Sequence, residues 1–166
     1  MDSSSVRVIF GPVTISEAST DPQIARVRAL FEEYAAWLGV DLCFQRFTEE
    51  LASLPGLYAR PRGRLFLGLV EDEPAGCVGV RPISAAVCEM KRLYVRPKFQ
   101  HQGFGRKLAE QAITEARSIG YSSMTLDTLP RMGAAIVLYT SLGFIRRNAY
   151  YETPMQGTVF MELALQ

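Results

Sequence analysis

The sequence predicts an α+β fold, with a mixed, mainly antiparallel central sheet flanked by helices, in the order β-α-α-β-β-β-α-β-α-β. Three observations carry this. Three strand-like segments between 65 and 95 are joined by short polar turns, the pattern of an antiparallel meander. Other segments repeat apolar residues every three or four positions and begin and end at capping residues. The chain has 166 residues, 48% of them hydrophobic and 21% charged, which suits one domain over 1–166 that buries its own core.

Each element has a local reason. Residues 1–12 read as a tail or weak edge strand. Val13–Ser19 alternates apolar and polar and is expected to be the first strand. Asp21 is expected to cap a helix that has Pro22 at its first position. Ile24, Val27, Phe31, Tyr34 and Leu38 give that helix one apolar stripe, and Gly39 ends it. Trp37 is expected to pack at this helix's interface. Thr48–Leu54 suits a short helix stopped by Pro55-Gly56. Leu65–Val70, Ala75–Arg81 and Ala86–Val95 are the meander strands, separated by Glu71-Asp72-Glu73-Pro74 and by a turn at Pro82–Ser84. Gly103–Ile119 is a helix with Phe104, Leu108, Ala112, Ala116 and Ile119 on its apolar face, closed by Gly120. Ser122–Thr128 is a strand. Pro130 is expected to open a last helix that packs through Ala134, Ala135, Leu138 and Leu142 and stops at Gly143. Thr158–Leu165 is the final strand.

Composition excludes several function classes. A formal net charge of +1 lacks the basic excess of a nucleic-acid-binding surface. No apolar run reaches membrane-spanning length, and the first residues lack the basic and apolar regions of a secretory leader. Cys43, Cys77 and Cys88 are odd in number and widely spaced, so neither a disulfide framework nor a metal site is expected. They read as small buried residues in a reducing, cytoplasmic protein.

The most informative run is Leu93 to Leu108, a strand end, a basic loop with two glycines and the first turn of a helix. The first backbone N–H groups of a helix have no intrahelical partner, and the helix dipole adds positive character there. Glycines admit a ligand close to that backbone, so the turn suits phosphate oxygens. A Walker A loop is not met, because G-x-x-x-x-G-K-[ST] is absent. A dinucleotide fingerprint would need a third glycine where Leu108 stands, although Asp127 ends the next strand where a ribose-binding acid would lie.

Gln100, Gly103 and Gly105 satisfy Q-x-x-G-x-G. Leu93-Tyr94-Val95 precede this motif, and Leu138-Tyr139 with Gly143-Phe144 follow it. Together these resemble the GNAT superfamily of N-acetyltransferases, from about Leu65 to the chain's end. The resemblance implies the GNAT acyl-CoA N-acyltransferase fold and acetyl-CoA as acyl donor, with no metal. It implies that Gln100, His101, Gln102, Gly103, Phe104, Gly105 and Arg106 hold the coenzyme A phosphates. Leu93, Tyr94 and Val95 would meet the pantetheine arm through their backbone, on a strand that parts from its neighbour. Glu89 would be the base, on the same strand face as Leu93 and Val95 if alternation is unbroken. Tyr139 would protonate the departing thiolate. The family often has an asparagine seven residues before that tyrosine, where this chain has Met132.

The expected reaction is direct acetyl transfer to a primary amine, of a small molecule rather than a large protein, in a ternary complex. Asp41, Phe44, Tyr150 and Tyr151 are candidate acceptor-binding residues, combining negative charge with aromatic walls. The family allows a homodimer. Two other readings stay open at this level, a non-catalytic acyl-CoA-binding module on the same fold and a nicotinamide-dependent oxidoreductase.

Overall fold

The computed structural model describes residues 10–166. The meander forms the centre of a seven-stranded sheet in the order β1-β2-β3-β4-β5-β7-β6. Its elements are β1 (Thr14–Glu17), α1 (Asp21–Leu38), α2 (Phe47–Ser53), β2 (Arg64–Val70), β3 (Glu73–Pro82), β4 (Val87–Val95), α3 (Phe104–Ile119), β5 (Ser123–Thr128), α4 (Gly133–Ser141), β6 (Ile145–Arg147) and β7 (Val159–Ala164). Every strand pair is antiparallel except β4 with β5, which α3 connects in parallel. The expectation for residues 1–12 falls mostly outside the described residues; 10–12 have no regular structure.

Two helical layers enclose the sheet. On one face Leu108, Ala109, Ala112, Ile113 and Ala116 of α3 pack on Phe66, Val78, Met90 and Leu126. On the other, Ile24, Val27, Leu30 and Phe31 of α1 pack on Leu65, Leu67, Cys77 and Tyr94. Burying side chains of this size contributes roughly 1.5–3 kcal/mol each, so the two apolar stripes fix both helices on the sheet.

Some boundaries differ from the sequence reading. The cap of α1 is Thr20, not Asp21. The Thr20 hydroxyl accepts from Gln23 N (3.4 Å) while Gln23 Oε1 accepts from Thr20 N (3.1 Å), a reciprocal capping box. Asp21 lies one residue inside, in the first turn. α4 begins at Gly133 rather than Pro130, because Leu129–Met132 close a separate turn (Met132 N to Leu129 O, 2.9 Å) and Met132 is not helical. β6 was not expected; it is a three-residue exposed edge strand with no buried alternation to reveal it. Glu71 and Asp72, both at positive φ, form a two-residue turn, so β3 begins at Glu73.

Two irregularities of β4 shape the molecule. Its pairing with β3 shifts by one residue between Gly79↔Lys91 and Cys77↔Tyr94, and Arg92 takes φ +57° at this bulge. The extra residue exchanges the faces. Cys88, Met90, Leu93 and Val95 pack on the α3 side, whereas Glu89 shares the α1 side with Tyr94. The expected common face of Glu89, Leu93 and Val95 is therefore broken. Second, β4 pairs with β5 only at Val87–Glu89 against Ser123–Thr125. Beyond these residues the strands part, as the resemblance implied.

Candidate active site

A cleft of about 730 Å³ opens where β4 and β5 separate. One wall is β4 from Met90 to Val95, the other is Leu126–Thr128 with the start of α4, and the loop before α3 closes one end. The backbone of β4 on the side that β5 leaves is free to pair with an extended ligand.

At the loop end, the first α3 bond runs from Lys107 N to Gly103 O (3.2 Å), which leaves the N–H groups of Phe104, Gly105 and Arg106 without helical partners. Gly103 has φ +81°, and a Cβ on Gly105 would lie 3.7 Å from Leu138 and 3.8 Å from Val95. Gln100 donates through Nε2 to Val95 O (2.9 Å), tying the loop to the strand end. Gln100, His101, Gly103, Phe104, Gly105 and Arg106 all line the cleft. Arg106 also reaches Glu110 (3.3 Å) and the Ser141 hydroxyl. Gln102 does not line it; its side chain accepts from Phe10 N (3.4 Å) instead. Arg96 and Lys98 are committed to Glu33 and Glu73.

The apex holds a buried polar network. Glu89, 2% exposed, accepts from Arg81 Nε (2.8 Å) and from the Tyr150 hydroxyl. Lys91 Nζ lies 3.8 Å from Glu89 Oε2, 3.6 Å from Asp127 Oδ2 and 3.4 Å from Gln45 Oε1. Asp127 accepts from the Tyr151 hydroxyl, to which Gln45 Nε2 donates (3.3 Å). Arg92 binds Glu50 (3.0 Å), which also meets Arg81 (3.5 Å). Three acids thus face three bases, as charges so far from water require. Burial pushes the Tyr150 and Tyr151 hydroxyls well above the usual phenol range, and the neighbouring Glu89 and Asp127 add to it. Both stay protonated donors.

Lys91 and Asp127 line the cleft, whereas Glu89 lies behind Lys91 and does not. Tyr139 lines it too. Its ring packs edge-on to Phe144 (5.8 Å), and burial raises its hydroxyl well above the ordinary value. That hydroxyl belongs to the cleft lining, where a phenol can donate to a ligand. Opposite stand Tyr34, Trp37 and Tyr94, with centroids 5.7 to 6.4 Å apart. Trp37 is 45% exposed on the cleft wall rather than buried at the α1 interface.

Next to the apex is a smaller chamber of about 40 Å³, lined by Leu42, Gln45, Asp127, Met132, Tyr151 and Met155 among others. It touches both stretches that carry the candidate acceptor residues, at Val40, Leu42 and Gln45 and at Tyr151. Tyr150 and Tyr151 do converge on the apex acids. Asp41 does not: it is exposed, and its carboxylate caps Cys43 N (2.8 Å), which holds it below the usual carboxylate range. The Phe44 side chain lies outside the described set. Cys43 is exposed, unlike Cys77 and Cys88. Met132, in place of the family's asparagine, lines both cavities.

The site can hold phosphates at one end and, at the other, accept a proton on Asp127 and deliver one from Tyr139. Sequence reasoning assigned Arg81 and Glu50 no place in the site, offered Lys91 only as a salt-bridge partner of Glu89 and Gln45 only as part of an acceptor wall, and suggested a role for Asp127 only under the dinucleotide alternative. One signal was readable: Glu89 and Lys91, opposite charges two apart in a strand, share one buried face.

Comparison with known proteins agrees with the geometry. The model of the acetyltransferase (GNAT) family matches residues 25–144. An uncharacterised N-acetyltransferase of Schizosaccharomyces pombe is 37% identical over 155 residues, covering 92% of this chain and 95% of that one. The ribosomal protein bS18-alanine N-acetyltransferase of Escherichia coli is 46% identical over 102 residues, covering 58% of this chain and 68% of that one. The PaiA N-acetyltransferase of Thermoplasma acidophilum, solved with coenzyme A, superposes with a TM-score of 0.73 at 14% identity, covering 93% of this chain and 99% of that one.

Proposed function

The chain belongs to the GNAT family of acetyltransferases and is an N-acetyltransferase, and on that premise we propose that it transfers acetyl directly from acetyl-CoA to a primary amine of a small molecule, both bound at once. One observation carries this reading: a single cleft joins the unpartnered amides of the α3 start to a carboxylate and a phenol at the apex. The donor fits what the chain offers. Phe104, Gly105 and Arg106 N–H groups would take the pyrophosphate, Arg106 would add charge, and the free side of Leu93–Val95 would pair with the pantetheine. Bound there, acetyl-CoA supplies an activated carbonyl carbon and a thiolate leaving group.

The protein's own work is then proton transfer. Asp127 accepts the acceptor's ammonium proton, because it alone of the apex acids lines both the cleft and the chamber. Glu89, the acid expected from the strand position, supports it from behind through Lys91. Tyr139 donates to the departing sulfur; its raised hydroxyl keeps that proton across the neutral range. Backbone N–H groups of β4 that β5 leaves unpaired would be the donors to charge developing on the carbonyl oxygen.

The chamber beside Asp127, about 40 Å³, takes no more than the amino end of an acceptor, which a small amine satisfies. A second reading is a protein's N-terminal alanine, favoured by the relative named for ribosomal protein bS18-alanine. A panel of small amines and an alanine-initiated peptide, followed by thiol release from acetyl-CoA, separates them. Higher kcat/KM for small amines supports the first reading; preference for the peptide overturns it.

A further inference from the structure

We propose that Lys91 is a positioning residue for the proton transfer: clamped between Glu89 and Asp127, its ammonium holds Asp127 as the ionised carboxylate that takes the acceptor's proton. The inference rests on the reading of Asp127 as base.

The geometry is specific. Lys91 is 4% exposed, yet it lines the cleft just past the point where β4 and β5 part. Its Nζ stands 3.8 Å from Glu89 and 3.6 Å from Asp127, within ion-pair distance of both carboxylates, and donates to Gln45 Oε1 at 3.4 Å. Two carboxylates on neighbouring strands that share one cation, Glu89 buried and Asp127 partly so, repel each other when that cation is removed, which favours protonation of one of them. The other charged and titratable neighbours do not replace it. Arg81 of β3 faces the far oxygen of Glu89, at 2.8 Å. Arg92 of β4 and Glu50 of α2 satisfy each other. Tyr150 and Tyr151, ahead of β7, donate one hydroxyl to each acid. Tyr34 of α1, partly buried, and Tyr139 of α4, buried, are phenols raised by desolvation and therefore neutral. Among the described residues, Lys91 is the cation within 4 Å of Asp127.

Burial pulls the Lys91 ammonium below its ordinary range, while Glu89 and Asp127 pull it back up.

The test is the pH dependence of kcat/KM, with acetyl-CoA and the best amine of the panel, for the native protein, Lys91→Met and Lys91→Arg. Removing an opposite charge at this distance raises a carboxylate pKa by about 1–3 units. The acidic limb of the Lys91→Met profile should therefore move up by about one pH unit or more, and Lys91→Arg should bring it back towards the native position. An unmoved limb in a folded Lys91→Met protein, or a limb displaced equally in Lys91→Arg, overturns the proposal. If Lys91→Met does not fold, Lys91→Gln with the same readout decides. Asp127→Asn separates this from the underlying reading: native-like turnover in that variant removes Asp127 as base, whereas lost turnover together with an unmoved Lys91→Met limb removes only the role of Lys91.

Discussion

At Gly103 the backbone takes φ +81°, a conformation strained for any side chain, although nothing lies within 4 Å of the position a Cβ would occupy. The demand is therefore conformational rather than steric. An L-residue there costs about 1–2 kcal/mol, more when β-branched, and relaxes by turning the amides of the α3 start away from their common point. Gly103→Val should weaken acetyl-CoA binding by about tenfold or more in calorimetry, with an unchanged far-UV spectrum. Native affinity would remove the loop from the donor site. This residue was legible because its chemistry is local: a strand end, two glycines and a helix start all lie between Val95 and Gly105. Asp127, Lys91 and Arg81 were not, because they acquire a role only when three strands bring them together. A carboxylate at a strand end has many ordinary uses, and sequence distance hides the ammonium beside it.

The elements follow their periodicities closely, and the departures have physical causes. Thr20 outcompetes Asp21 as the α1 cap because its hydroxyl and the Gln23 amide satisfy two backbone N–H groups reciprocally. β6 has three exposed residues, so no apolar pattern announces it. The bulge at Arg92 is the departure with most consequence, since it turns Glu89 away from the face of Leu93 and Val95. α2 contributes to the apex through Glu50, which is nearly buried between Arg92 and Arg81. Truncating Glu50 strands the buried Arg92 guanidinium, while Arg81 keeps Glu89, and losses of about 3–5 kcal/mol are usual when one partner of a buried pair is removed. Glu50→Ala should therefore lower the unfolding free energy in urea by about 3 kcal/mol. A change below about 0.5 kcal/mol would mean that Glu50 is no more than a surface group.

At the scale of the whole molecule, one parallel joint in an otherwise antiparallel sheet makes the cleft. The β4–α3–β5 crossover sets the N-terminus of α3 beside the carboxyl end of β4, the usual position for a ligand crevice. Because β5 pairs with only three residues of β4, the crevice extends inward as far as Asp127 and Lys91. The donor end was readable from contiguous motifs. The acceptor end was not, because it draws on α1, α2, β3, β4, β5 and the segment before β7. The central claim is that this cleft binds the donor and that Asp127 and Tyr139 move the protons. It is tested most directly by measuring amine-dependent thiol release from acetyl-CoA in Asp127→Asn and Tyr139→Phe, alongside donor affinity by calorimetry. Turnover should fall by about 10² or more in each variant while acetyl-CoA affinity stays native. Native rates in either variant, or donor binding without amine-dependent release in the native protein, would contradict it.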